Sequence, residues 1–152
     1  MVTIAKRSRP DARTQALSLA GKIDERLDAA MLLGELAGTA KVLLDLARIS
    51  TVTSSGIQAF CRLVEGLVRG GASEIVLLRV ASPIAFQVAI CPGIFDPARV
   101  ESAQLPFVCG TCGEERDHVV PYVAGADRGH PPACACGATM ELDGMAAQYL
   151  PT

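Results

Sequence analysis

Residues 42–57 read Val-Leu-Leu-Asp-Leu-Ala-Arg-Ile-Ser-Thr-Val-Thr-Ser-Ser-Gly-Ile. The run Val42-Leu43-Leu44 has no apolar/polar alternation, which suits a strand covered on both faces in a parallel or mixed sheet. Arg48 to Gly56 reads as a turn. Beyond it Ile57, Phe60, Cys61, Val64, Leu67 and Val68 recur at helical spacing, with Gln58, Arg62, Glu65 and Arg69 on the opposite side. A buried strand feeding an amphipathic helix through a short turn is the unit from which α/β domains are built.

The same unit extends in both directions. Upstream, Thr14–Ala20 alternates as a strand should, with Leu17 and Leu19 on one face. Asp24 is placed to cap a helix in which Ala29, Leu32, Leu33 and Leu36 share a face, and Gly38 is placed to end it. Downstream, Gly70-Gly71 stops the second helix. Ile75-Val76-Leu77-Leu78 is another buried-type strand. Ser82-Pro83 opens a short helix, with Ser82 as cap, that Pro92-Gly93 closes, and Arg99 to Ala103 is a last strand or linker. Strands separated by helices predict parallel neighbours joined by right-handed crossovers. The expected fold is therefore α/β, with helices on one face of a small sheet. Residues 1–13, with Lys6, Arg7, Arg9 and Arg13 interrupted by Pro10 and Asp11, read as a flexible solvated tail.

Composition excludes several classes of function. The chain has 152 residues, of which 50% are hydrophobic and 20% charged, with a net charge of −2. That balance gives no electrostatic reason to expect nucleic acid, and with aromatics at 4% stacking platforms for bases are scarce. No apolar run reaches the length of a membrane span, and the basic N-terminus lacks the apolar core of a signal peptide. The expectation is a cytoplasmic protein with no membrane insertion, where disulfides are disfavoured.

Six cysteines in such a setting need a reason. Cys61 and Cys91 lie in apolar helical contexts and read as packing. Cys109-Gly-Thr-Cys112-Gly113 and Cys134-Ala-Cys136-Gly137 are glycine-flanked turns. Their spacer is slightly longer than the roughly 15–20 residues usual between the paired cysteines of a zinc site. Cys109, Cys112, Cys134 and Cys136 are thus the expected ligands of a structural Zn2+. His118 or His130 could stand in for Cys134, since the second turn is the tighter Cys-x-Cys. A redox dithiol would sit at a helix start after a strand, and that setting is missing. Residues from Pro106 onward are rich in Gly, Pro and Cys and cannot bury enough surface alone, so the domains are expected as tail 1–13, α/β domain 14–104 and zinc ribbon 105–152. In the ribbon Arg116 and Arg128 face a larger number of acids, which again disfavours nucleic acid.

The turn before the second helix carries the functional signal. Ser55-x-x-Gln58 forms a candidate capping box, with Ser55 as cap and the Ser54 hydroxyl left free. The plain alternative is that both serines only cap and turn. Leu19-Ala-Gly-Lys-Ile-Asp24, Val42-Leu-Leu-Asp-Leu46, Thr53-Ser-Ser-Gly-Ile57 and Gly71-Ala-Ser-Glu-Ile-Val-Leu77 occur in the order and spacing of a STAS domain, and Leu17 to about Ser102 resembles that family, the bacterial anti-sigma factor antagonists.

The resemblance implies a STAS-like mixed sheet of four to five strands with helices on one face. It also implies phosphorylation at Ser54 and binding of a GHKL-type serine kinase or anti-sigma factor through Thr53, Ser54, Ser55, Gly56 and Gln58. The family's Asp before the serine is Thr53 here, so the acidic group that would help present the serine to a kinase is absent. The expected function is a partner-switching regulator of transcription and not an enzyme, since no Ser-His-Asp set, phosphate loop or open metal site is visible. A non-switching scaffold and an accessory subunit of a lipid-transport complex are the alternatives.

Overall fold

A strand inside a sheet keeps one face apolar, and residues 41–52 do so at Val42, Leu44 and Leu46, then, after a bulge, at Ile49; all four are buried. In the computed structural model, which describes residues 1–125 and 129–151, they form β3, Lys41–Val52. The strand therefore runs through most of the stretch that the sequence presents as a turn. Arg128, part of the charge argument above, lies outside the described residues.

β2 (Thr14–Ile23) and β4 (Glu74–Leu78) flank β3, both parallel to it. The register aligns Leu17, Leu44 and Leu77 in one fully apolar row. β6 (Arg99–Val100) adds in parallel outside β4, and β1 (Val2–Asp11) adds antiparallel outside β2. The result is a mixed five-stranded sheet of order β1-β2-β3-β4-β6.

Among the described residues three α-helices accompany this sheet: α1 (Ala29–Glu35), α2 (Ser54–Arg69) and α3 (Ser82–Ile90). Their buried side chains, among them Leu32, Phe60, Leu63 and Ile84, join a single core with the β3 row that begins at Val42. Phe60 meets Phe95 edge to face, with ring centroids 5.0 Å apart. The ion pair from Arg7 to Glu35 ties β1 to the end of α1.

Several expectations are corrected. The supposed tail 1–13 forms β1. Only Val2 and Ile4 of β1 pack toward the core, so its side chains carry little signal, and it is held by the backbone ladder to β2. Its charged exposed residues suit an edge strand, where they discourage further pairing. Asp24 does not cap α1. Its carboxylate instead takes the backbone N–H of Arg26 at 2.9 Å and the Arg26 guanidinium at 2.8 Å, which lowers its pKa to about 2. Asp28 is the cap, accepting from Met31 N at 2.9 Å. In α3, Ser82 is the first helical residue and Ala81 holds the cap position without a side-chain bond.

The boundary expected at 104/105 falls inside a strand. β7 (Ser102–Val108) runs through Pro106 and alternates cleanly, with Ala103, Leu105 and Phe107 buried. β5 (Val80–Ala81) pairs with it in parallel, and β8 (Glu115–Pro121) and β9 (Glu141–Leu142) pair antiparallel, giving a second sheet. The Pro106 carbonyl accepts Asp143 N at 2.9 Å, so the proline is built into the strand. Leu105, Phe107, Met140 and Leu150 belong to the same core as the first sheet. No described helix is long and apolar enough to cross a membrane.

Candidate functional site

Two places carry polar chemistry that the core does not consume. The first is the junction of β3 and α2. Thr53 N donates to Ile23 O at 2.9 Å, which pins the chain between β2 and β3 before it turns into the helix. Thr53 has extended backbone angles, and its hydroxyl accepts from Gly56 N at 3.0 Å, so Thr53 is the N-cap of α2. Ser55, expected in that role, is the second helical residue. Ser54 is the first, and both serines and Gln58 are exposed. The capping expected of Ser55 is done by Thr53, and Ser54 lies exposed in the first turn.

Gly56 is placed differently from the other turn residues. It is buried, and a Cβ built on it would stand 2.0 Å from the carbonyl oxygen of Ile23. It lets α2 start in direct contact with the end of β2 and offers no side for a partner, contrary to its expected place in a binding surface. Replacing Thr53 by Ala should remove the cap and destabilise the protein by about 1 kcal/mol, while Thr53→Asp should retain it. Urea midpoints of the two variants check this.

The second place is the cysteine cluster. The Sγ atoms of Cys109, Cys112, Cys134 and Cys136 all lie within 4.8 Å of one another. Cys109 Sγ and Cys136 Sγ are 3.6 Å apart, and Cys112 Sγ and Cys134 Sγ 3.4 Å. A disulfide would bring two sulfurs to about 2.05 Å. Four thiolates around one ion at about 2.3 Å would stand roughly 3.8 Å apart. The spacing is too wide for a disulfide and compatible with four sulfurs around one ion.

The backbone explains how two short turns achieve this. Gly113 N donates to Cys109 O and Gly137 N to Cys134 O, each at 2.9 Å, so both turns close after their second cysteine. Both glycines have positive φ, +79° and +94°, which leaves Cys-Gly as the natural ending of each turn. Cys109 and Cys134 are buried, and Cys112 and Cys136 exposed. Backbone N–H groups of Cys112 and Thr111 directed at the Cys109 sulfur lower its pKa to about 6. The Glu114 carboxylate, accepting from Cys134 Sγ at 3.0 Å, pushes that thiol up to about 11.

Glu114 is a neighbour of the cluster that spacing does not reveal. It arrives because Cys109 N bonds to Glu114 O at 2.8 Å and closes the first turn onto β8. Arg116 is a second. Its guanidinium donates to Ala133 O at 2.6 Å and so braces the second turn against β8.

The histidines are elsewhere. His118 lies edge-on to Phe107 with centroids 5.5 Å apart, and His130 is exposed, while Cys134 is in the cluster. Cys61 donates to Ile94 O at 3.3 Å, and burial raises its pKa, in keeping with a packing role. No protein-family model matches the chain, and no curated protein matches it either.

Proposed function

We propose that the chain is a regulatory protein-binding module, a STAS-like domain of the anti-sigma factor antagonist type carrying a zinc ribbon. Its Ser54 turn docks on a GHKL-type serine kinase or anti-sigma factor. The observation that carries this reading is the position of Ser54: exposed, in the first turn of α2, with the cap supplied by its neighbour. A hydroxyl so placed is open to a partner and to a phosphate donor.

Phosphorylation adds about −1.5 to −2 charges at pH 7. At the N-terminus of its own helix that charge is tolerated, because free backbone N–H groups and the helix dipole favour an anion there. Pressed into an apolar or acidic patch of a partner it costs several kcal/mol. Binding is lost while the domain stays folded. Thr53 fits this reading despite lacking a charge, because capping is a task that Asp and Thr share.

Zinc is the metal we assign to the four cysteines, and with every position filled by cysteine it would have no open site for catalysis. The cluster's task is to hold residues 105–150 in shape.

A non-switching scaffold is the second reading, favoured by the absence of an acidic residue at position 53. Phosphopeptide mass spectrometry on protein isolated from its own cells separates the two. The switch predicts phosphate on Ser54 in part of the population. A phosphate-free Ser54 under all growth conditions supports the scaffold.

A further inference from the structure

The core row of the five-stranded sheet lies on one face, and among the described residues the opposite face carries half-buried and exposed side chains over much of its area. Side chains opposite one another in the ladder share a face, which places Ala16, Leu43 and Val76 in one row behind the Leu17–Leu44–Leu77 row. Leu78 lies on the same side, beside Asp45. None of these four belongs to the cluster that holds the Leu17–Leu44–Leu77 row. Val76 is buried at 2% exposure, whereas Ala16, Leu43 and Leu78 are half-buried, so the accessible apolar strip is these three.

Cations surround that strip. Lys6 pairs across from Ser18, Arg48 from Ala20 and Lys22 from Thr51, so all three lie on this face, Arg48 and Lys22 toward the end where β3 turns into α2 and Lys6 level with Asp45. None has an ion-pair partner among the described residues. The acids of this face are already engaged. Arg79 holds Asp45, Lys41 and Arg99 flank Glu74 at 3.7 and 3.2 Å, and Asp11 accepts Arg13 N at 2.8 Å. Glu101, following β6, stands at the edge away from Lys6. A chain of net charge −2 thus carries a basic face with an apolar centre.

We infer that this face is a second docking surface, separate from the Ser54 turn, for an amphipathic helix with acidic flanks from a partner protein. The strip of small and medium side chains accepts the helix's apolar stripe, as sheets accept helices generally. Lys6, Lys22 and Arg48 meet the flanking carboxylates, and such complementarity sets partner and orientation. Single-stranded nucleic acid is a poorer fit, because the face carries no aromatic ring on which a base could stack. An anionic membrane is poorer too, since no large side chain projects from the strip to enter it.

The test uses the 15N-labelled full chain and a synthetic amphipathic peptide with a leucine stripe and glutamate flanks. The expected result is amide shifts at Ser18, Leu43 and Leu78, binding that weakens with salt, and at least roughly tenfold weaker binding to the K6E/R48E double variant. Both positions are exposed, so the variant should stay folded, which its amide spectrum verifies. A peptide with lysine flanks should bind no better than that variant. The inference is overturned if the glutamate peptide leaves these amides unmoved, or if the double variant binds it equally. It is also overturned if poly-uridylate or phosphatidylserine vesicles shift the same amides and the peptide does not. Ser54 is not a contact in this test, so failure here leaves the reading of the Ser54 turn standing.

Discussion

On the proposed zinc reading of the cysteine cluster, treatment with a chelator, or a Cys109→Ser substitution, is expected to lower the stability of the whole chain, not only of residues 105–150. Zinc bound by four thiolates contributes apparent binding energies of about 10–16 kcal/mol in small domains that fold around it. The segment held by the cluster is not an independent appendage. β7 pairs with β5 in the second sheet, and β5 lies in the chain between β4 and α3 of the first layer. Leu105, Phe107, Met140 and Leu150 share one core with Ile84 and Val80. Releasing the cysteine turns exposes that side of the core.

We expect Cys109→Ser to cost more than about 3 kcal/mol, in the range that loss of a metal site produces. Thermal unfolding with and without chelator, followed by amide exchange, checks this. Protection should fall in β7 and β8 first and in α3 next. Unchanged unfolding would mean that the four sulfurs hold no ion that matters to the fold.

Gly56→Val is expected to be the most damaging single substitution in the first sheet's layer. The added Cβ would meet Ile23 O at 2.0 Å and Ile23 C at 2.4 Å. These are backbone atoms of β2, locked by the parallel ladder to β3, and cannot swing aside as a side chain would. Overpacking alone costs about 1–3 kcal/mol. With immobile backbone as the obstacle, we expect a loss above about 3 kcal/mol, with α2 displaced at its first turn. Gly34→Ala in α1 is the control. Nothing lies within 4 Å of its added Cβ, so it should gain about 0.5–1 kcal/mol from helix propensity. Urea unfolding of the two variants should shift in opposite directions.

The parts of the fold legible in the sequence are those whose side chains alternate against a core. Leu17 and Leu19, the Val42–Leu44 run, Ile75–Leu77 and the α2 stripe lie in the expected strands and helix. The stripe itself is wider than drawn. Ala59 and Leu63 are buried, whereas Val68 is 41% exposed. α1 packs beside α2, close enough that a Cβ on Gly66 would meet Leu33 at 2.8 Å, and this rotates the covered face. β1 was hidden because an edge strand with two core contacts has no periodicity to show. The passage of β7 through Pro106 was hidden because a proline reads as a break unless its neighbours are known.

At the site, cysteine spacing is a local property and could be read directly. The capping of α2 by Thr53 depends on where β3 ends. The carboxylate of Glu114 reaches Cys134 only after β8 has folded back on β7. Neither follows from local sequence.

The most direct measurement on the central claim is calorimetric titration of a GHKL-type serine kinase from the same genome with the native chain, Ser54→Ala and Ser54→Asp. The account predicts that the native chain and Ser54→Ala bind alike. It predicts that Ser54→Asp binds at least about tenfold more weakly with its fold intact, about 1.4 kcal/mol in binding free energy. Equal affinities for Ser54→Ala and Ser54→Asp, or no binding by any of the three, would contradict it.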